Sequence, residues 1–377
     1  MGKTADLVIR AGRLFRGHGE IEGPGYVATS GDRILAIGAH WDGDADRQLD
    51  FPDGILLPGL VDLHAHPAAN SESKYGTNPD REFLPRGVTT VMSQGDAGAD
   101  NWPSYLKNTI KKCRTRIRLA LNLAAPGEVA EHACFERLSD IDVQRCVETI
   151  NSDREELIWG IAINVSRIAC AQTDPKEVMR RGLEAAERSG KPILYGMREP
   201  GDWPLDDQLA QLRPGDVVTY CFRPPPVTVV QDGRVHPAVV EARNRGVLFD
   251  IGHGMASLCF DIAEAALADG FQPDTVSTDQ YARHEGSDPQ HDLPLTASKL
   301  MAVGMPLNAV LRAITSRPAE VLGLAAEVGT LMPDRVADIC VLGISHAEDT
   351  LLDVGGDQRI GDRWQSACVV RAGQLVD

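Results

Sequence analysis

At 377 residues the chain exceeds one small module and suits a large barrel with an appendage. Its 43% hydrophobic content can bury a large core, which excludes general disorder. With 38 Lys and Arg against 54 Asp and Glu, the net charge is −16, and no basic run extends beyond Lys111-Lys112, so nucleic acid is not an expected partner. No run approaches the roughly 18–20 apolar residues of a spanning helix, so no membrane association is expected. Met1 to Arg10 lacks the apolar core of a signal peptide. The eight cysteines are scattered with no CxxC pair, which suits free thiols in a reducing cytoplasm.

The first fifty residues read as short strands broken by glycine, at 7–9, 25–28 and 33–38. Asp42, Asp44 and Asp46 have the spacing of a calcium loop. Arg47 stands where such a loop needs glycine, so the segment reads as a solvated acidic turn. A different rhythm follows, with eight apolar runs at 59–66, 87–95, 115–124, 157–165, 192–197, 216–222, 246–252 and 274–279, each leading into a helix-like stretch. Continuous apolar runs mark strands buried on both faces of a parallel sheet. One helix is well punctuated: Asp174 as N-cap, Pro175 at the first position, Glu177 completing a capping box and Gly190 as the stop. Another runs from Ser298 past Pro306 toward Leu322. The C-terminus returns to strands at 337–342 and 367–371.

These elements predict an α/β fold. A (β/α)₈ TIM-type barrel would span 58–325, with a small β-sandwich built from both termini, 1–57 plus 326–377. The competing open doubly wound sheet lacks any Gly-rich dinucleotide fingerprint.

A barrel puts its reactive groups at the C-terminal ends of the strands. Strand one ends Leu63-His64-Ala65-His66, and side chains of period two place His64 and His66 on one side, where they can chelate a single divalent metal. Strand eight ends Ser277-Thr278-Asp279 and neighbours strand one in a closed barrel. Two histidines and a carboxylate with an open position have the composition of a catalytic zinc site.

The run Leu56-Leu57-Pro58-Gly59-Leu60-Val61-Asp62-Leu63-His64-Ala65-His66, the later Ser277-Thr278-Asp279 and the split β-unit resemble the amidohydrolase superfamily. Arg86-Gly87-Val88-Thr89-Thr90-Val91, Gly95-Asp96-Ala97-Gly98, Phe249-Asp250-Ile251-Gly252-His253-Gly254 and Asp292-Leu293-Pro294 resemble its deacetylase and dihydroorotase-like branch. The resemblance implies, for binuclear members, a carboxylated lysine on strand four and one histidine each on strands five and six. Here the lysine falls on or next to Ala162, and the two histidines map to Tyr195 and Tyr220. A second metal would lack ligands, so one ion is expected on His64, His66 and Asp279: zinc first, with manganese or iron as alternatives.

Tyr195 and Tyr220 suit hydrogen-bond donation to an oxygen that becomes negative in a transition state. His253, between Gly252 and Gly254, suits a substrate contact or proton donor. Arg198 and Arg223 lie just beyond strands five and six and could clamp a carboxylate. Cys221, next to Tyr220, should face outward and be inert. Pro224-Pro225-Pro226 should stiffen a mouth loop, and Ser71 to Asp80 reads as a flap.

The expected activity is metal-dependent hydrolysis of an amide, cyclic amide or ester bond in a small, anionic molecule. Asp279, Tyr220 and His253 would do the chemistry, and Tyr195, Arg198, Arg223 and His253 would hold substrate. By the resemblance, Asp279 takes the proton of water and passes it to the leaving group. The rival reading is a barrel that has lost hydrolysis, as a binding protein or as a lyase or isomerase using the tyrosines as acid and base. A homo-oligomer is compatible with the sequence.

Overall fold

The structure, a computed structural model, describes residues 4–69, 72–129 and 131–377. Ser71, at the start of the expected flap, lies outside the described residues. Seven parallel strands form one curled sheet in chain order: Leu60–Ala65, Val88–Gln94, Arg116–Asn122, Ile158–Asn164, Ile193–Gly196, Val217–Thr219 and Leu248–Phe249. The eighth position is an extended segment. It bridges strand seven at Asp250 and Thr275 and strand one at Ala65 and Gln280, which closes the barrel.

Burial on both faces explains why these runs are so apolar. Leu63, Met92, Ala120, Ala162, Leu194 and Val217 fill the inside, while Leu60, Val91, Ile117, Ile161 and Ile193 face the helices. The pairing of strand one with strand two slips between Asp62 and Ala65. A bulge of this kind turns two consecutive side chains to one side. His64 thereby follows Leu63 into the barrel interior.

The helix Pro175–Ser189 begins and ends where expected, with Asp174 accepting the Lys176 amide and Gly190 left-handed at φ 67°. Its capping box does not form, because Glu177 reaches forward to Arg180 and Arg181. The long helix expected toward Leu322 is three shorter ones, Leu293–Ala302, Leu307–Ala313 and Ser316–Val321. Gly304 at φ 97° and Pro306 interrupt it.

Both termini build one appended seven-stranded sheet. In order across the sheet its strands are Gln374–Leu375, Gln358–Arg371, Ile339–Leu352, Asp44–Pro58, Thr4–Leu14, Gly25–Ser30 and Arg33–Gly38. Asp338 fastens sheet to barrel. Its buried carboxylate accepts from Arg116 of barrel strand three at 2.8 Å and from Arg371 at 3.0 Å, and its carbonyl accepts the Gly59 amide. Among the described residues no helix is long and apolar enough to cross a membrane. Removing the Asp338 carboxylate would leave two guanidinium groups facing each other, with only the Thr90 hydroxyl and Glu327 at 3.8 Å for Arg116 and the Arg114 carbonyl for Arg371. Asp338→Ala should therefore lower the unfolding free energy in urea by about 3 kcal/mol, and a loss below about 0.5 kcal/mol would contradict the joint described here.

Candidate active site

His64, His66 and Asp279 converge at the mouth of the barrel. Backbone pairing sets them there: the Asp279 amide donates to the His64 carbonyl at 2.6 Å, and the His66 amide to Gln280 at 2.9 Å. Nε2 of His64 and Nε2 of His66 each lie 3.4 Å from the same Asp279 oxygen, Oδ1. Ligand atoms about 2.1 Å from a tetrahedral zinc stand about 3.4 Å from one another. The three groups are the only cluster of His, Cys, Asp or Glu among the described residues with such closeness, so they fit one divalent ion.

The far side of each imidazole is fixed by a buried acid. His66 Nδ1 meets Asp96 at 2.9 Å, and Ser93 donates to the other Asp96 oxygen. His64 Nδ1 meets the Thr219 hydroxyl at 2.8 Å, which donates to Asp250 at 2.9 Å. Asp250 accepts two further hydroxyls, from Thr275 and Ser277. With Nδ1 donating in both rings, Nε2 is left with its lone pair toward the cluster, which is the arrangement a metal-ligating histidine needs. Burial disfavours charge on these rings, but Asp279 and Asp250 outweigh it and push His64 up to about 9. Burial likewise opposes the Asp279 charge, and His64 and His66 more than reverse it, holding the carboxyl below its ordinary range. The cluster is built to hold positive charge at its centre.

Backbone strain aims the side chains. Tyr220 at φ 66° and Asp279 at φ 46° are left-handed non-glycine residues at the ends of strands six and eight. Two glycines make room: a Cβ at Gly252 would lie 2.3 Å from Thr219 Oγ1, and one at Gly254 would lie 2.4 Å from Asp279 Oδ2. The Tyr220 hydroxyl reaches 3.3 Å from His64 Nε2. Burial, with Asp279 nearby, pushes this phenol above its ordinary value, so it remains neutral and keeps a proton to donate.

A cavity of about 250 Å³ opens in front of the cluster, with His66, Tyr220, Asp279 and Arg223 on its wall. The Arg223 guanidinium stacks 4.8 Å from the Tyr220 ring centroid, and its Nε donates to Ser257 at 3.3 Å. Among the described residues it has no acidic partner.

Three expected contacts are not where the sequence put them. Tyr195 faces outward: Leu194 occupies the inside, and the Tyr195 hydroxyl bonds Gln208 at 2.9 Å. Arg198 is held by Asp202 at 2.8 Å and by Glu199 at 3.5 Å, away from the cavity wall. His253 turns into a different cavity, where its Nε2 meets Lys299 at 2.8 Å. Cys221 packs among the outer core residues. Gln94, Asn164, Glu128 and Tyr281 also line this cavity and had not been expected there, while Tyr75 lines it from the segment expected as a flap. Gln94 and Asn164 were within reach of sequence reasoning, because each ends a barrel strand.

No family model matches the chain. It is 32% identical over 346 residues to Deacetylase Atu3266 of Agrobacterium fabrum, covering 90% of this chain and 84% of that protein. A crystal structure described as an adenine deaminase superposes with TM-score 0.88 at 27% identity, covering 99% of this chain and 100% of the other. One described as a dihydroorotase superposes with TM-score 0.86 at 29% identity, covering 98% of each.

Two variants separate these placements. Tyr195→Phe should cost about 1 kcal/mol of stability in urea and leave turnover unchanged; a large fall in kcat would return Tyr195 to the site. Asp96→Ala should weaken zinc binding by about 10- to 100-fold in a calorimetric titration while the far-ultraviolet spectrum is kept. Unchanged affinity would remove Asp96 from the account.

Proposed function

This chain belongs to the deacetylase family of the amidohydrolase superfamily and is a hydrolase, and from that premise we propose that it cleaves an acyl group from a small anionic molecule with the help of one divalent ion. The ion would be held by His64, His66 and Asp279, with zinc the best match to two imidazoles and a carboxylate. The observation that carries this reading is the pair of 3.4 Å separations from both imidazoles to one carboxylate oxygen. A single ion is favoured because the inward residues of strands four to six offer no second ligand set. They are Ala162, Asn164, Leu194, Gly196, Val217 and Thr219.

When bound, such an ion supplies Lewis-acid polarisation of a carbonyl and acidifies a water. The rest falls to the protein. Asp279 would take the proton of the attacking water and later return it to the leaving group. Tyr220 would donate its hydroxyl hydrogen to the oxygen that gains negative charge as the carbonyl carbon becomes tetrahedral. Arg223, which has no acidic partner among the described residues, would bind a substrate carboxylate, which a planar guanidinium can do with two parallel hydrogen bonds. The scissile bond is then an amide or ester of an N-acyl or O-acyl carboxylic acid, with a cyclic amide as the third member of the class.

A screen of acetylated amino and hydroxy acids against neutral amides and esters tests this directly. Hydrolysis should be confined to the carboxylates and abolished by chelation. Tyr220→Phe should lower kcat by about 10²–10³ with KM little changed, and Arg223→Gln should mainly raise KM. Equal turnover of neutral and anionic substrates would remove Arg223 from recognition. Full activity in Tyr220→Phe would remove the phenol from the transition state.

A further inference from the structure

A second cavity, of about 290 Å³, lies between the loops that follow barrel strands seven and eight and the bend of the appended sheet at 349–354. Its wall is largely apolar, with Met255, Leu295, Leu351 and Val354 among its residues. The proposed chemistry uses nothing in it. Two of its polar residues, Lys299 and His284, are nevertheless buried, at 8% and 6% exposure.

Lys299 makes one hydrogen bond, to His253 Nε2 at 2.8 Å. Because His253 Nδ1 lies 2.7 Å from the Gly254 carbonyl, Nδ1 carries the ring proton, and Nε2 accepts from the ammonium. His284 Nδ1 accepts the Tyr281 amide at 3.2 Å, which leaves the proton on Nε2, and Nε2 has no partner. His291, stacked on His284 at 3.9 Å, spends its Nε2 on the Thr278 carbonyl.

The nearby acids are already engaged. Asp349 pairs with Arg363 at 3.1 Å. Asp353 accepts the amides of Phe260, Gly355 and Asp357, and Asp292 caps a helix through the Leu295 amide. Among the described residues, the wall therefore carries an ammonium with two N–H groups that no hydrogen bond uses, and a buried imidazole N–H without a partner. Buried donors left this way are costly, and native structures rarely keep them without a ligand or water in view.

We propose that this cavity is a binding site for a small apolar monocarboxylate, separate from the catalytic pocket. Lys299 and His284 would donate to its carboxylate, and the apolar body would lie against Leu295, Leu351 and Val354. A carboxylate is favoured over a larger anion because two donor groups and a mainly apolar wall match one charged end on a hydrophobic body.

Benzoate serves as the probe and benzamide as its neutral counterpart, in calorimetric titrations of the full chain. At this second cavity benzoate should bind wild type and Arg223→Gln alike, with only binding in the catalytic pocket weakened by the substitution. Its affinity should fall about tenfold or more in Lys299→Met. Leu352→Trp, which crowds the cavity rim from an exposed position and leaves Lys299 in place, should weaken it as well, and it decides the matter if Lys299→Met does not fold. Benzamide should bind about tenfold more weakly than benzoate. The assignment is overturned by any of four results: no benzoate binding, loss of binding in Arg223→Gln, unchanged affinity in both cavity variants, or equal binding of benzamide.

Discussion

Closure of the barrel is the constraint on which the site depends. His64 and Asp279 are separated by most of the chain, and only the pairing of the eighth extended segment with strand one brings them together. The Asp279 amide on the His64 carbonyl and the His66 amide on Gln280 fix the two segments in one register. A slip of one residue would turn the carboxylate away from both imidazoles. The bulge at Leu63-His64 and the left-handed turn at Asp279 then aim the three side chains at one point. The cost of the strained backbone is offset by the pairing around it, a common arrangement at working sites.

Around that point the protein supplies negative charge and fixed hydrogen bonds. Asp96 and Asp250 do not face the catalytic cavity, yet they determine which nitrogen of each ring presents its lone pair. Thr219, Thr275 and Ser277 keep Asp250 satisfied in the buried interior, where an unpaired carboxylate would be expensive. The open side of the cluster is organised differently. Tyr220 and Arg223 stack there, placing a neutral donor and a permanent cation in front of the cluster. In the proposed reading, one side would hold an ion and the other would meet an anionic, reacting molecule.

The barrel and its cluster were legible in the sequence because they rest on strong periodic signals. Eight buried runs marked the seven strands and the extended segment that closes them, and a histidine pair one pleat apart could be assigned to one side without knowing which side it was. Tyr195 was misplaced because its strand is only four residues long, Ile193–Gly196, and the sequence alone does not anchor which alternate positions face in. Arg198 was read without Asp202, its partner four residues onward. His253 lies in a loop, and its direction is set by Lys299 far along the chain. Glu128 comes from a loop whose path depends on tertiary packing, so no local pattern announced it, whereas Tyr75 sits in the segment whose composition suggests a flap. What periodicity dictates could be read, and what long-range packing dictates could not.

The central claim is that one ion is shared by two imidazoles and a carboxylate at the barrel mouth. Elemental analysis of chain purified without chelator, alongside His64→Asn, measures it most directly. The account predicts about one zinc, manganese or iron per wild-type chain and none in the variant, with both proteins folded. A wild type that takes up no divalent metal even when it is supplied would contradict it, as would a variant that keeps its full complement.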